Sequence, residues 1–82
     1  MNKIVDKEYF SANVVKFEVE APLIARSRKA GHFVIVKVGE KGERIPLTIA
    51  SSNLERGTIT IVIQAVGNSS KKICDLNVGD YI

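Results

Sequence analysis

Apolar and polar positions alternate along most of this chain, and the alternation has the period of strands. Residues 14–19 place Val15, Phe17 and Val19 on one face with Lys16 and Glu18 between them, the pattern of a half-buried strand. Residues 3–10 alternate less cleanly and predict a first strand. Residues 33–38 (Phe-Val-Ile-Val-Lys-Val) are mostly β-branched, which predicts a strand partly buried on both faces. A strand is predicted over residues 44–50 and a longer apolar one over residues 58–66. Turn chemistry separates them: Gly39-Glu40-Lys41-Gly42 reads as a hairpin turn and Asn53-Leu54-Glu55-Arg56-Gly57 as a second turn. Residues 21–28 carry Pro22 near their start and predict a loop with one helical turn. Residues 70–76 predict a short helix capped by Asn68 or Ser69. Val78-Gly79-Asp80 then turns into a strand only begun. Five strands, one late helix and a truncated sixth strand predict a mostly β fold, an antiparallel barrel whose last wall is short or missing.

Composition narrows the picture. At 82 residues the chain is one small domain, and domains of this size bury only about 60% of their unfolded surface. A hydrophobic fraction of 45% supplies a single core and excludes a disordered chain. No apolar run is long enough to cross a bilayer, and the N-terminus lacks the basic-then-apolar pattern of a signal peptide, so no membrane partner is expected. The single Cys74 excludes an internal disulfide, offers no metal-ligand spacing and predicts a reducing, cytoplasmic setting. The net charge of +3 raises the question of nucleic acid. The basic residues are scattered, apart from Arg26, Arg28 and Lys29 and the pair Lys71-Lys72, and no aromatic stripe accompanies them. No nucleic-acid partner is expected, while a basic face suits an anionic cofactor or an acidic electron carrier equally well.

The most informative stretch is Arg44-Ile45-Pro46-Leu47-Thr48-Ile49-Ala50. Pro46 gives up a ladder donor and Thr48 brings a hydroxyl that needs a partner, two departures that a plain core strand has no use for. In a ligand-binding strand the proline bares backbone edge, the hydroxyl directs one hydrogen bond and the arginine meets an anion. The plainer alternative is an edge strand with an exposed arginine, which blunts aggregation. Val66-Gly67-Asn68-Ser69-Ser70 is the second candidate, because glycine permits close backbone approach and a helix N-terminus favours anions. An ordinary capped helix is the plainer reading there. His32 has no carboxylate or cysteine partner at recognisable spacing, and Asp75 and Asp80 read as helix-end and turn carboxylates.

Taken together, these motifs resemble the two flavin-binding signatures of the FAD domain in the ferredoxin reductase-like superfamily. The similarity also takes in Glu20-Ala21-Pro22-Leu23-Ile24-Ala25, Gly31-His32-Phe33-Val34-Ile35-Val36 and Val78-Gly79-Asp80-Tyr81-Ile82, and so covers nearly the whole chain. The wording is nearest to the alpha subunit of NADH-dependent ferredoxin:NADP oxidoreductase (sulfide dehydrogenase beta subunit), with the electron-transfer subunit of dihydroorotate dehydrogenase next. The resemblance implies a six-stranded Greek-key barrel with one helix before the last strand. It implies an FAD site in which Thr48 bonds the flavin near the atom that exchanges hydride, a catalytic position. Arg44, Pro46, Leu47 and Ile49 would line the cofactor, Gln64 and Val66 would run beside it through their backbone, and Gly67, Ser69 and Ser70 would meet the diphosphate. Leu47 stands where many relatives carry a stacking tyrosine.

One departure matters. The commoner superfamily pattern has its arginine three residues before the hydroxyl residue, whereas Arg44 lies four before Thr48. A one-residue offset reverses the face of a strand, so returning Arg44 to the superfamily's position calls for a local bulge or a loop before Pro46. The resemblance further implies that the chain is a piece of a longer protein, in which an iron–sulfur cluster and NAD(P) are bound elsewhere and a catalytic partner subunit and ferredoxin are met. An unclosed barrel leaves strand edges unpaired and exposes apolar residues such as those of 34–38 or 59–63, which predicts self-association of this chain as a homo-oligomer. The rival reading is a cofactor-free β-barrel interaction module. An oligonucleotide-binding barrel needs aromatic platforms that are not evident.

Overall fold

The structure is a computed structural model and describes residues 2–27, 33–38 and 43–82, with the side chains of Val38 and Glu43 excepted. Five strands form one antiparallel sheet: β1 (Ile4–Ser11), β2 (Val14–Glu20), β3 (Phe33–Val38), β4 (Glu43–Asn53) and β5 (Thr58–Gln64). Their order across the sheet is β1-β2-β5-β4-β3. β3, β4 and β5 follow one another as neighbours, and β2 lies beside β5 after a long connection, which is a Greek-key arrangement. The sheet does not close.

Alternation explains the central strands. In β2, Val15, Phe17 and Val19 are buried and their neighbours are not. β5 answers with Ile59, Ile61 and Ile63. The register sets Val15 against Ile63, Phe17 against Ile61 and Val19 against Ile59, so three buried cross-strand pairs form the middle of the core. Ile4, Leu47 and Ile49 join from β1 and β4, and Ala25, Ile73 and Cys74 join from the two helices.

Several expectations are corrected here. The described residues form five strands rather than six. The sixth is represented by a bridge between Lys3 and Tyr81, where Asn2 and Ile82 exchange backbone hydrogen bonds of 3.2 and 2.8 Å. The described residues hold two helices rather than one, because the stretch read as a loop with one helical turn forms α1 (Pro22–Ser27). Pro22 opens it where its missing N–H costs nothing, and Ala25 is buried against the sheet while Leu23 faces out. The segment 59–63 is not a bare edge, since β5 lies between β2 and β4. The expected turn at Gly39–Gly42, together with Arg28, Lys29, Gly31 and His32, falls outside the described residues. The second turn matches its chemistry: Asn53 Oδ1 accepts from the Arg56 amide at 3.1 Å. Gly57 has φ +65°, and a Cβ there would meet Pro22 Cβ at 3.1 Å, so both backbone and packing require glycine.

A polar pair is held within the sheet. Thr58 is buried, and its hydroxyl donates to Glu18 Oε2 at 2.6 Å. The other carboxylate oxygen of Glu18 pairs with Arg56 Nη1 at 3.3 Å. Hydrogen bonds to charged groups are worth about 1.5–3 kcal/mol, and exposed ion pairs about 0–1. Thr58→Val is therefore expected to destabilise by about 1.5–3 kcal/mol and Arg56→Ala by less than about 1. Each kcal/mol reads as roughly 4–8 °C in a melt of a domain this size. Equal losses from both variants would contradict this ranking.

Candidate functional site

β4 is shared between two neighbours. Its first half pairs with β3, from Glu43 opposite Val38 to Thr48 opposite Phe33. Its second half pairs with β5, from Ile49 opposite Ile61 to Asn53 opposite Thr58, with an irregularity between Ile49 and Ser51. On the other side of β5, residues 58–64 all pair with β2. From Thr48 back to Arg44, β4 has thus left β5 and runs with β3 alone, so the sheet splits between β4 and the end of β5.

The split settles what each candidate on β4 presents. Leu47 and Ile49 are buried in the core, while Arg44, Pro46 and Thr48 are exposed on the opposite face. The β3–β4 register is unbroken from Glu43 to Thr48, so the bulge considered for Arg44 is absent. It is also not needed for the two residues to meet one ligand: a spacing of four puts Arg44 and Thr48 on the same face of a regular strand. Among the described residues neither side chain has a hydrogen-bond or ion-pair partner. Leu47 lies in the core, so its side chain acts by anchoring the strand.

β5 ends at Gln64, and α2 (Asn68–Cys74) follows, packed against β3, β4 and β5. Gln64, Val66 and Gly67 are exposed. The N-cap is Gly67 rather than Asn68 or Ser69. The reason is Ser70, whose hydroxyl accepts from the amides of Val66 and Gly67 at 3.0 Å each and lies 3.1 Å from the Gly67 carbonyl, to which it donates. Ser70 is buried and its hydroxyl is committed to the turn, as are the two amides it caps. Gly67 is extended at φ −155°, and a Cβ there would meet nothing within 4 Å.

Other groups stand apart. Burial pushes the Cys74 thiol up, with Lys7 partly opposing it, which disfavours the reactive thiolate. Among the described residues no group of three His, Cys, Asp or Glu side chains could hold a metal, and no helix is long and apolar enough to cross a membrane. A cavity of about 350 Å³ lies at the open side of the barrel, between Val34, Val36, Val19, Ile61 and the Asn2–Ile82 contact. Ile35 and Lys37 also line it, whereas none of the site residues singled out from the sequence does. The sequence reading did not single out Phe33 or Lys37 as site residues, although the hairpin expected at residues 39–42 was enough to set Lys37 opposite Arg44.

Because its hydroxyl ties the turn together, Ser70→Ala is expected to cost about 0.5–2 kcal/mol, the range of lost helix caps. Melting without any ligand measures this. An unchanged melting temperature would return Ser70 to the set of groups available to a ligand.

No family model matches the chain. Over all 82 residues it is 49% identical to a protein of Clostridium beijerinckii described as an uncharacterized protein in the adh 3' region, of which it covers 28%. It is 34% identical, again over 82 residues, to a dihydroorotate dehydrogenase B (NAD(+)) electron transfer subunit homolog of Thermotoga maritima, of which it covers 29%. The solved structure of an NADH-dependent reduced ferredoxin-NADP oxidoreductase, a subject of flavin-based electron bifurcation, shares the fold with a TM-score of 0.92 at 34% identity. That match takes in 98% of this chain and 29% of the other. The chain spans less than a third of the length of these relatives. The oxidoreductase and the electron-transfer subunit are the two branches that its motifs resemble, so over these 82 residues fold and sequence agree on the similarity.

Proposed function

We propose that this chain is the flavin-holding domain of an oxidoreductase electron-transfer subunit, and that its flavin is FAD. The observation that supports this most is the outward set Arg44, Pro46 and Thr48, carried on a strand whose intervening residue Leu47 is fixed in the core. A site on such an element is held more accurately than one on a loop. The Thr48 hydroxyl, without a partner among the described residues, suits a polar edge of the flavin ring, and the Arg44 guanidinium suits a diphosphate. Gly67 fits the same reading. Neither its φ nor its packing calls for glycine, whereas a ligand passing close to the backbone does.

When bound, FAD supplies the exchange of hydride and electrons. The chain's own residues orient it. Thr48 holds a ring atom by hydrogen bonding, Arg44 offsets phosphate charge, and Gln64, Val66 and Ser69 line the approach at the end of β5. Leu47, Ile49 and Ser70 act indirectly, by fixing the strand and the turn. The NAD(P) site and the iron–sulfur centre are assigned to the rest of a longer protein, and ferredoxin and a catalytic subunit to its assembly. The electron-transfer relatives support that assignment, as does the small share of their length that this chain spans.

FAD at about a hundred times its dissociation constant adds roughly 2.7 kcal/mol of stability, or about 10–20 °C in a domain this small. We expect that rise in the purified chain. Thr48→Val is expected to leave the ligand-free melt unchanged while weakening FAD binding and altering the flavin absorption bands. No thermal shift at millimolar FAD would remove the reading.

A second proposal concerns assembly. β3 is the last strand of the sheet, and Phe33 and Ile35 are 60% and 61% exposed beside its bare edge. Such an edge pairs readily with a second copy, so self-association of the chain is expected. Sedimentation across a concentration series tests it, and a monomer throughout the micromolar range would refute it.

A further inference from the structure

The outward face of the β3–β4 ribbon carries three cross-strand pairs in register: Phe33 with Thr48, Ile35 with Pro46, and Lys37 with Arg44. All six residues are exposed. Four residues of strand separate the basic pair from the Phe33–Thr48 pair, about 13 Å. The face thus runs from an aromatic ring and a hydroxyl, across an apolar pair, to two cations set directly opposite each other. Like charges in that position destabilise a sheet. Among the described residues the ion pairs are Lys16–Glu8 and Arg56–Glu18, and neither relieves Lys37 or Arg44. Nothing in the core requires these side chains either. A ligand that answers both ends of the face has a planar ring at one end and a multiply charged anion about 13 Å away.

We propose that Lys37 is a second phosphate-binding residue, which with Arg44 forms a two-cation clamp on the FAD diphosphate. The inference rests on the flavin reading above and adds a residue from β3 to it. Arginine contributes a directional fork and lysine a compact point charge, so the pair holds a diphosphate from both strands. An anion lying between them also removes their mutual repulsion. Phe33 and Ile35 cover the ring and chain end of the ligand. The consequence is selectivity: riboflavin has the same ring but no phosphate, so the clamp favours FAD over it.

The test is titration of the purified chain with FAD and with riboflavin, followed by flavin fluorescence. Lys37→Gln is expected to weaken FAD about tenfold, as for a lost charge-assisted contact, and to leave riboflavin within about twofold. It is also expected to flatten the salt dependence of FAD binding, while Lys37→Arg keeps the FAD affinity. The ligand-free melt of Lys37→Gln should not fall, since a repulsion is removed. An unchanged FAD affinity, or equal losses for both flavins, would overturn the clamp and leave the flavin reading standing. Equal binding of FAD and riboflavin by the unsubstituted chain would also overturn it. A chain that binds neither flavin would remove both inferences together.

Discussion

The rest of the domain depends on the ladder between β2 and β5. Seven consecutive pairs join these strands without a shift, and the three inward ones are fully apolar and buried. Truncating a buried Phe or Ile to alanine costs about 2–5 kcal/mol, a large share of the 5–15 kcal/mol that stabilises a typical domain. The ladder also joins the two halves of the chain. β1 hangs on β2 as a hairpin, and β4 and β3 hang on β5 as a meander. Because this contact is non-local, its closure carries the entropy of the long connection through α1.

β4 is where that framework carries the proposed site. It is anchored to β5 near the second turn and then diverges to run with β3, with the irregularity at Ile49–Ser51 marking the change. Local twist increases at such points, which often re-aim a side chain. Leu47 and Ile49 remain in the core on either side of Thr48, so the hydroxyl projects outward from a backbone that is fixed on its inner face. The same parity that buries Leu47 exposes Arg44, Pro46 and Thr48.

Much of this was legible in the chain because period-two alternation is a strong signal where one face is buried. Val15, Phe17 and Val19 read as one face and are one face. The helix boundary was less legible: Ser69 and Asn68 are favourable caps, yet the turn is held by Ser70 reaching back to the Val66 and Gly67 amides. Local propensity does not reveal which of several adjacent hydroxyls has the geometry to do so. α1 was read only as a loop with one helical turn, because six residues carry too little periodicity to register as a helix. The candidate site was legible as residue types on β4, but not as a surface, because half of that surface comes from β3. Pairing partners follow from register, and register was read only for single strands.

Leu47 shows how the core and the candidate site are coupled. The resemblance puts a flavin-stacking tyrosine at this position in many relatives, and here the leucine side chain is buried in the core. In the proposed site its influence on a ligand runs through the strand: loosening Leu47 frees the backbone that carries Thr48 and Arg44. In a domain this small the same contact is also a sizeable part of the core. Ligand affinity and folding stability are therefore linked through β4. A ligand that grips the outer face of β4 stabilises the strand whose inner face completes the core, and a weakened core lowers affinity without touching the ligand.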